Sequence, residues 1–454
     1  MLFRSCTVTN GTGTVGAANV TNVNVTCATS AFTVGGTVTG LSGTGLVLLN
    51  GAENLPITAN GSFTFAIPVA SGAGYAVTVT TQPSGPSQAC TVANGSGTVG
   101  AANVTNVAVT CSTSSFTVGG TVSGLTGTGL VLLNNGVPLP AIAPGATSYT
   151  LPAPVPSGTG YAITVGTQPS TPSQTCTVAN GTGTVGAANV TNVNVTCATR
   201  SFTVGGTVSG LAGTGLVLRT GTQSLSISAN GPFTFPTPIA SGGSYSVTVT
   251  TQPSGPTQTC TVANGSGTVG AANVTNVAVS CTTSSFTVGG TLSGLLGTGL
   301  VLHNGSEDLP VAANGSFTFS TPIASGAGYA VSVTTQPSGP TQSCTVTNGS
   351  GTIGAGNVTN VSVTCSTSSF TVGGTVTGLT GTGLVLRNGT ESLTILADGP
   401  FTFATPIASG DTYSVRVQSQ PGGQACTVTG GDDASGGGPV VSGNVTSIVV
   451  TCLP

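Results

Sequence analysis

The 454-residue sequence predicts an all-β fold: a tandem array of seven-stranded immunoglobulin-like or transthyretin-like β-sandwich modules, one disulfide each. Three observations predict it. The phrase FTVGGT returns at near-constant intervals. Apolar residues alternate with polar ones between turn residues. Twelve cysteines fall into six regularly spaced pairs.

The repeat sets the domain organisation. FTVGGT begins at Phe32, Phe116, Phe202, Phe286 and Phe370. The interval is the same each time, except that it is slightly longer between Phe116 and Phe202. Such a period is too long for a solenoid turn or a propeller blade and suits one small sandwich domain. The expected modules are residues 32–111, 116–197, 202–281, 286–365 and 370–452. The second copy places Tyr149 and Leu151 where the first has Phe63 and Phe65, and has two extra residues. The fifth has a longer final loop, Gly430 to Gly438. Cys6 to Cys27 matches Cys176 to Cys197 except for Thr9 in place of Ala179, so residues 1–27 read as the C-terminal half of a truncated module. Met1 is followed by no apolar signal segment, and the expectation is a fragment of a longer product whose signal lies upstream.

Within the first copy, Phe32 and Val34 share one strand face, with a bulge expected at Gly35-Gly36 before Val38. Leu46 and Leu48 mark a second strand, and Leu55 and Ile57 a third. Asn60-Gly61 turns the chain into Phe63 and Phe65. Tyr75, Val77 and Val79 follow, ended by Gln82-Pro83. Cys90 and Val92 start a sixth strand; Val107, Val109 and Cys111 form the seventh. Each set has the period of two that marks a strand. Val and Thr suit pleated strands, and helix formers at helical spacing are lacking. Strand order stays open between the two sandwich types.

The cysteines pair as Cys6 with Cys27, Cys90 with Cys111, Cys176 with Cys197, Cys260 with Cys281, Cys344 with Cys365, and Cys426 with Cys452. The first five pairs share one spacing, and the last is longer. Both partners occupy inward positions of one hairpin, which suits bridging across adjacent strands. No CxxC or Cys/His set has zinc-ligand spacing, so no metal and no cofactor is expected. Six disulfides imply an oxidising compartment: periplasm, cell surface or medium.

Composition narrows function further. Charged residues are 3% of the chain, with five Arg, no Lys, eight carboxylates, one His and a net charge of −3. This gives no basic footprint for nucleic acid, and no run of 18 apolar residues enters a membrane. Groups for moving protons are too few for an enzyme. His303, the one histidine, aligns with Leu49, Leu133, Arg219 and Arg387, which marks a variable surface position. Arg219, Arg387, Glu53, Glu307, Asp308 and Glu391 share the variable stretch after the LVL strand. They read as a solvated hairpin loop, with a recognition loop as the alternative. Asp432 and Asp433 sit in a Gly-rich loop without a calcium-loop pattern. Triplets such as Asn94-Gly95-Ser96 and Asn103-Val104-Thr105 are ascribed to turn chemistry rather than to sugar attachment.

NGSFTF (Asn60 to Phe65) followed by PVASGAGYAVTV (Pro68 to Val79) resembles bacterial surface modules of the Cna B-type and carboxypeptidase regulatory-like kinds. The resemblance covers this stretch and its counterpart in each copy, and no more. It implies a stalk or spacer of a bacterial surface or secreted protein. Cna B-type modules often carry a Lys–Asn isopeptide staple. This chain has no Lys, and the Cys pair is expected in its place. Joints such as Ser112–Ser115 are four residues long and restrict neighbouring copies to few tilts. The function expected is therefore a non-enzymatic extracellular spacer. The alternative is an adhesin-type module whose variable loops recognise an extracellular glycan, a matrix component or a host or cell-surface protein.

Overall fold

The computed structural model describes residues 2–430 and 436–454, and every regular element among them is a β-strand. The chain forms two compact units. One comprises Met1–Thr203, Pro238–Ser244 and Thr268–Val274; the other comprises Val204–Thr237, Tyr245–Gly267 and Thr275–Pro454.

The first unit opens with a hairpin of β1 (Arg4–Thr9) and β2 (Asn24–Thr29), exposed along its whole length. The first copy of the repeat follows. Its strands are β3 (Ala31–Phe32), β4 (Val34–Thr39), β5 (Leu46–Asn50), β6 (Glu53–Ile57), β7 (Gly61–Thr64), β8 (Val69–Ala70), β9 (Gly74–Thr81), β10 (Gln88–Ala93), β11 (Ser96–Thr98) and β12 (Val104–Thr113). One sheet has the order β10-β12-β4-β7 and the other β11-β9-β5-β6, with β3 and β8 pairing separately. All pairs are antiparallel except β12 with β4.

The seven strands expected from alternation are present, with β11 as a short added edge. The immunoglobulin constant-type order places the first strand beside the second. Here the first long strand, β4, lies between β7 and the last strand, β12. Thr33 divides the expected first strand, so that Phe32 pairs in β3 and Val34 begins β4. The irregularity expected at Gly35-Gly36 falls on the opposite strand, between Val104 and Val107 of β12. The two glycines serve close approach instead. A Cβ on Gly36 would stand 1.7 Å from the Val107 carbonyl oxygen, and one on Gly35 would stand 2.2 Å from that of Phe63.

The inward side chains of both sheets meet in one core. Val34, Val38, Leu46, Leu48, Phe65, Val107 and Val109 are almost wholly buried in it. Phe63 packs edge-on against Phe65 with centroids 6.0 Å apart, a geometry that suits the ring quadrupoles. Copy 2 in the same unit builds its core from Val118, Leu130, Leu132, Ile163, Val193 and Val195.

The second unit repeats the plan. In copy 4, Val288–Ser293 runs parallel to Val358–Thr367, with the same irregularity opposite its glycine pair. In copy 5, Val372–Thr377 pairs in the same way with Val445–Leu453. Edge-on pairs recur as Phe233 with Phe235, Phe317 with Phe319, and Phe401 with Phe403. The chain is thus a tandem array of β-sandwich modules with one disulfide in each.

Copy 2 replaces the first Phe of its pair with Tyr149. The hydroxyl is buried without a hydrogen-bond partner, and burial pushes its pKa up to about 12. A stranded polar group of this kind is costly. Tyr149→Phe, which restores the ring of the other copies, is expected to stabilise copy 2 by about 1 kcal/mol. The urea unfolding midpoint checks this.

Candidate functional site

The paired cysteines occupy directly opposed positions on the last two long strands of each copy. Cys90 on β10 faces Cys111 on β12, with the sulfurs 2.02 Å apart. Cys176 bonds to Cys197 in copy 2, Cys260 to Cys281 in copy 3, Cys344 to Cys365 in copy 4, and Cys426 to Cys452 in copy 5. Each of these pairs sits in direct cross-strand register. In the N-terminal hairpin Cys6 is bonded to Cys27 in the same register. Among the described residues no cysteine is free, and no group of His, Cys, Asp and Glu could hold a metal ion. No helix is long and apolar enough to cross a membrane.

Next to each disulfide of the complete copies the structure shows a buried or half-buried amide that sequence reasoning did not single out. The Gln88 side chain accepts from the backbone N–H groups of Ser42 and Gly43, each at 2.8 Å, and donates to the Gly40 carbonyl at 2.8 Å. Gln174, Gln258, Gln342 and Gln424 make the same three bonds in their copies. They hold the GLxG loop, whose inward polar groups would otherwise be stranded. A Gln two residues before the first Cys of each full copy was the available signal.

The glutamates of the variable stretch are not freely solvated. Glu53 accepts from Ala66 and Ile67 N–H at 2.7 and 2.8 Å. Glu307 accepts from Ser320 and Thr321 N–H, each at 2.8 Å, and from the Ser320 hydroxyl. Glu391 accepts from Ala404 and Thr405 N–H. Each carboxylate thus caps the turn that follows the F-x-F strand. The Ser320 and Thr321 backbone bonds hold the Glu307 carboxyl down at about 2, and the Thr405 bond, with that of Ala404, lowers Glu391. These contacts reach from one strand to a turn beyond the next, which a linear reading of one loop does not reveal.

The remaining candidates are exposed. His303 Nδ1 meets Asp308 Oδ1 at 2.7 Å on the outer face of copy 4. Arg219 and Arg387 each donate from Nε to a backbone carbonyl two residues on, at Gly221 and Gly389. Asn94 adopts a positive φ of 55° and ties the Asn106 carbonyl, while Asn103 accepts from Thr33 N–H. Both asparagines therefore have structural bonds. Asp432 and Asp433 lie outside the described residues.

The most regular polar construction lies where one copy meets the next. In the first unit, Ser114 between copies 1 and 2 donates its N–H to Ser87 of copy 1, and its carbonyl accepts from Ser157 N–H of copy 2. Ser87 N–H then donates to Ser157 Oγ at 2.9 Å, closing a ring of three bonds. Arg200, Ser173 and Ser241 repeat the ring. In the second unit it is made by Ser284, Thr257 and Ser325, and again by Ser368, Thr341 and Ser409. The accepting serines are buried, and the glycine after each lies against a proline of the preceding copy, as Gly158 does against Pro86. The joint is thus shorter than the four residues counted in the sequence: β12 runs to Thr113, and a strand resumes at Ser115.

No family model matches the chain, and no curated protein matches it. Among solved structures it is similar to the Bacillus anthracis TIE protein at 12% identity, over 76% of this chain and 70% of that one, with a TM-score of 0.38. It is also similar to the pilus adhesin SpaC from Lactobacillus rhamnosus GG at 11% identity, over 72% of this chain and 55% of that one, with a TM-score of 0.21. Alignments this loose carry nothing over to the present protein.

Three measurements test this chemistry. Glu307 titrates lower folded than unfolded, so its carboxylate adds stability at and above the ordinary value of 4.5, and that contribution is lost as pH falls toward about 2. Over that interval the Ser320 and Thr321 amide resonances are expected to move together, and Glu307→Gln to flatten the response. Thiol labelling of the unreduced protein is expected to find no reactive cysteine. Reduction is expected to cost each complete copy about 3 kcal/mol, the chain-entropy value for a loop of this size, read as a drop in melting temperature.

Proposed function

We propose that this chain is a non-enzymatic spacer or stalk region of a bacterial surface or secreted protein. Its units are the five copies 32–111, 116–197, 202–281, 286–365 and 370–452, preceded by the C-terminal half of another at 1–27. The joint carries the reading: one three-bond ring, with the linking residue tied to both neighbours, recurs between successive complete copies. A string of domains joined by loose linkers has no use for such a ring. A spacer does, because it works by holding its copies in fixed succession. A disulfide in every copy fits an extracytoplasmic location. The sheet order, with β4 between β7 and β12, departs from the immunoglobulin order. We infer the transthyretin-like alternative, in keeping with the Cna B-type or carboxypeptidase regulatory-like resemblance.

The adhesin reading placed recognition in the loop after the LVL strand. The capping contacts of Glu53, Glu307 and Glu391 give those carboxylates a local task, which weakens that version.

Hydrogen exchange on the full chain tests the spacer reading. The amides of Ser114, Ser284 and Ser368 are expected to exchange as slowly as edge-strand amides. Ser325→Ala is expected to speed exchange at Ser284 and Thr257 while leaving Ser114 unchanged. Free exchange at these joints in the unsubstituted chain would mean loose linkers and would remove the basis for a spacer.

A further inference from the structure

Five arginines are the only permanently charged cationic side chains in this sequence, and two of them stand side by side. Arg387, on strand Leu384–Asn388, lies directly opposite Arg416, on strand Thr412–Ser419. Both are exposed, while Leu386 and Val415 beside them are buried, so both guanidinium groups project from the outer face of one sheet of copy 5. Like charges in directly opposed cross-strand positions destabilise a sheet. The other copies avoid the arrangement. At the same positions Leu49 faces Thr78, Leu133 faces Thr164, Arg219 faces Thr248 and His303 faces Ser332. In copy 4 the single base is matched by Asp308 on its other side.

Among the described residues no carboxylate compensates the pair on its own face. Besides the two arginines, the outward residues of these strands and of Glu391–Ile395 are Val385, Ser392, Thr394, Thr412, Ser414 and Gln418. Glu391 and Asp398 already accept backbone N–H groups, and Asp411 lies in the turn before its strand. Each arginine uses Nε–H locally: Arg387 to the Gly389 carbonyl at 2.8 Å, Arg416 to Ser414 Oγ at 3.1 Å. These bonds orient both planes and leave the terminal N–H groups without a partner among the described residues. The two arginines, Gly389 and Ser414 line a cleft of about 300 Å³.

We propose that this cleft binds an oxyanion group, carboxylate or sulfate, carried by an acidic polysaccharide. A planar guanidinium matches such groups through paired N–H donors, and two together convert a repulsive contact into a chelate. Beside the pair Ser392 Oγ donates to Gln418 Oε1, and the Gln418 NH2 and the Ser414 O–H suit sugar hydroxyls. Two cationic side chains on a chain of net charge −3 are too few for nucleic acid or an anionic bilayer, which are held by clusters of such charges.

Calorimetric titration of the full chain tests this, with heparin as the sulfate-rich probe, polygalacturonate as the carboxylate probe and dextran as the neutral one. Binding to either acidic polymer but not to dextran is expected, and the stronger of the two identifies the oxyanion. Arg387→Gln and Arg416→Gln are each expected to weaken it about tenfold at an unchanged melting temperature. Thr248→Arg, which places a second arginine opposite Arg219, is expected to add a second site. Absence of binding to both acidic polymers overturns the proposal, as does undiminished binding by the double Gln variant or tighter binding to polynucleotide or anionic vesicles. The spacer reading is independent of this result, because exchange at Ser114, Ser284 and Ser368 does not involve this face.

Discussion

The side-by-side, parallel run of each copy's first and last long strands is the constraint from which the rest of the module follows. Gly36 makes it possible. The Val107 carbonyl occupies the space a side chain would need, at 1.7 Å from a notional Cβ, and Gly206 and Gly290 meet Val277 and Val361 at the same distance. With β12 held there, the β10–β12 hairpin is anchored to the sheet interior through β12, and the disulfide ties the edge strand β10 to it. The GLxG loop is brought over the hairpin, where the buried Gln satisfies it. The chain also leaves β12 beside the point where the next copy begins.

That exit explains the joints. A strand ending at Thr113 and another starting at Ser115 leave one residue to bridge two copies, and its N–H and carbonyl both need partners. The neighbouring copies supply one each, and the buried serine hydroxyl takes the remaining N–H. Copy 5 shortens the loop that supplies this donor in the others, with Gln420-Pro421-Gly422-Gly423-Gln424 in place of the longer run from Gln336 to Gln342. In the N-terminal hairpin Val8 and Val25 are exposed, whereas their counterparts Val178 and Val195 in copy 2 pack into a core.

Charge is scarce enough that the placement of each group is informative. The glutamates are spent on turn amides within their own copy, where hydrogen bonding to the ionised form lowers the titration of Glu307 and Glu391. The arginine pair of copy 5 engages local acceptors through Nε–H alone and sets two like charges against each other. Residues alike in the one-dimensional pattern, most of them in or beside one variable stretch, therefore divide into structural and available groups only when cross-strand neighbours are known.

The sequence by itself determined the periodic β architecture. Strand alternation, turn residues and a recurring phrase act locally and survive in one dimension, so the seven strands could be placed from Phe32, Leu46, Leu55, Phe63, Tyr75, Cys90 and Val107. Tertiary structure alone decided what depends on long-range approach. This includes the parallel β4–β12 pairing, the reason for Gly35-Gly36, the roles of Gln88 and Glu53, and the serine at each joint. The physical reason is that the deciding neighbour belongs to a distant part of the chain: a carbonyl crowding Gly35 or Gly36, or a side-chain partner for a backbone N–H or carbonyl.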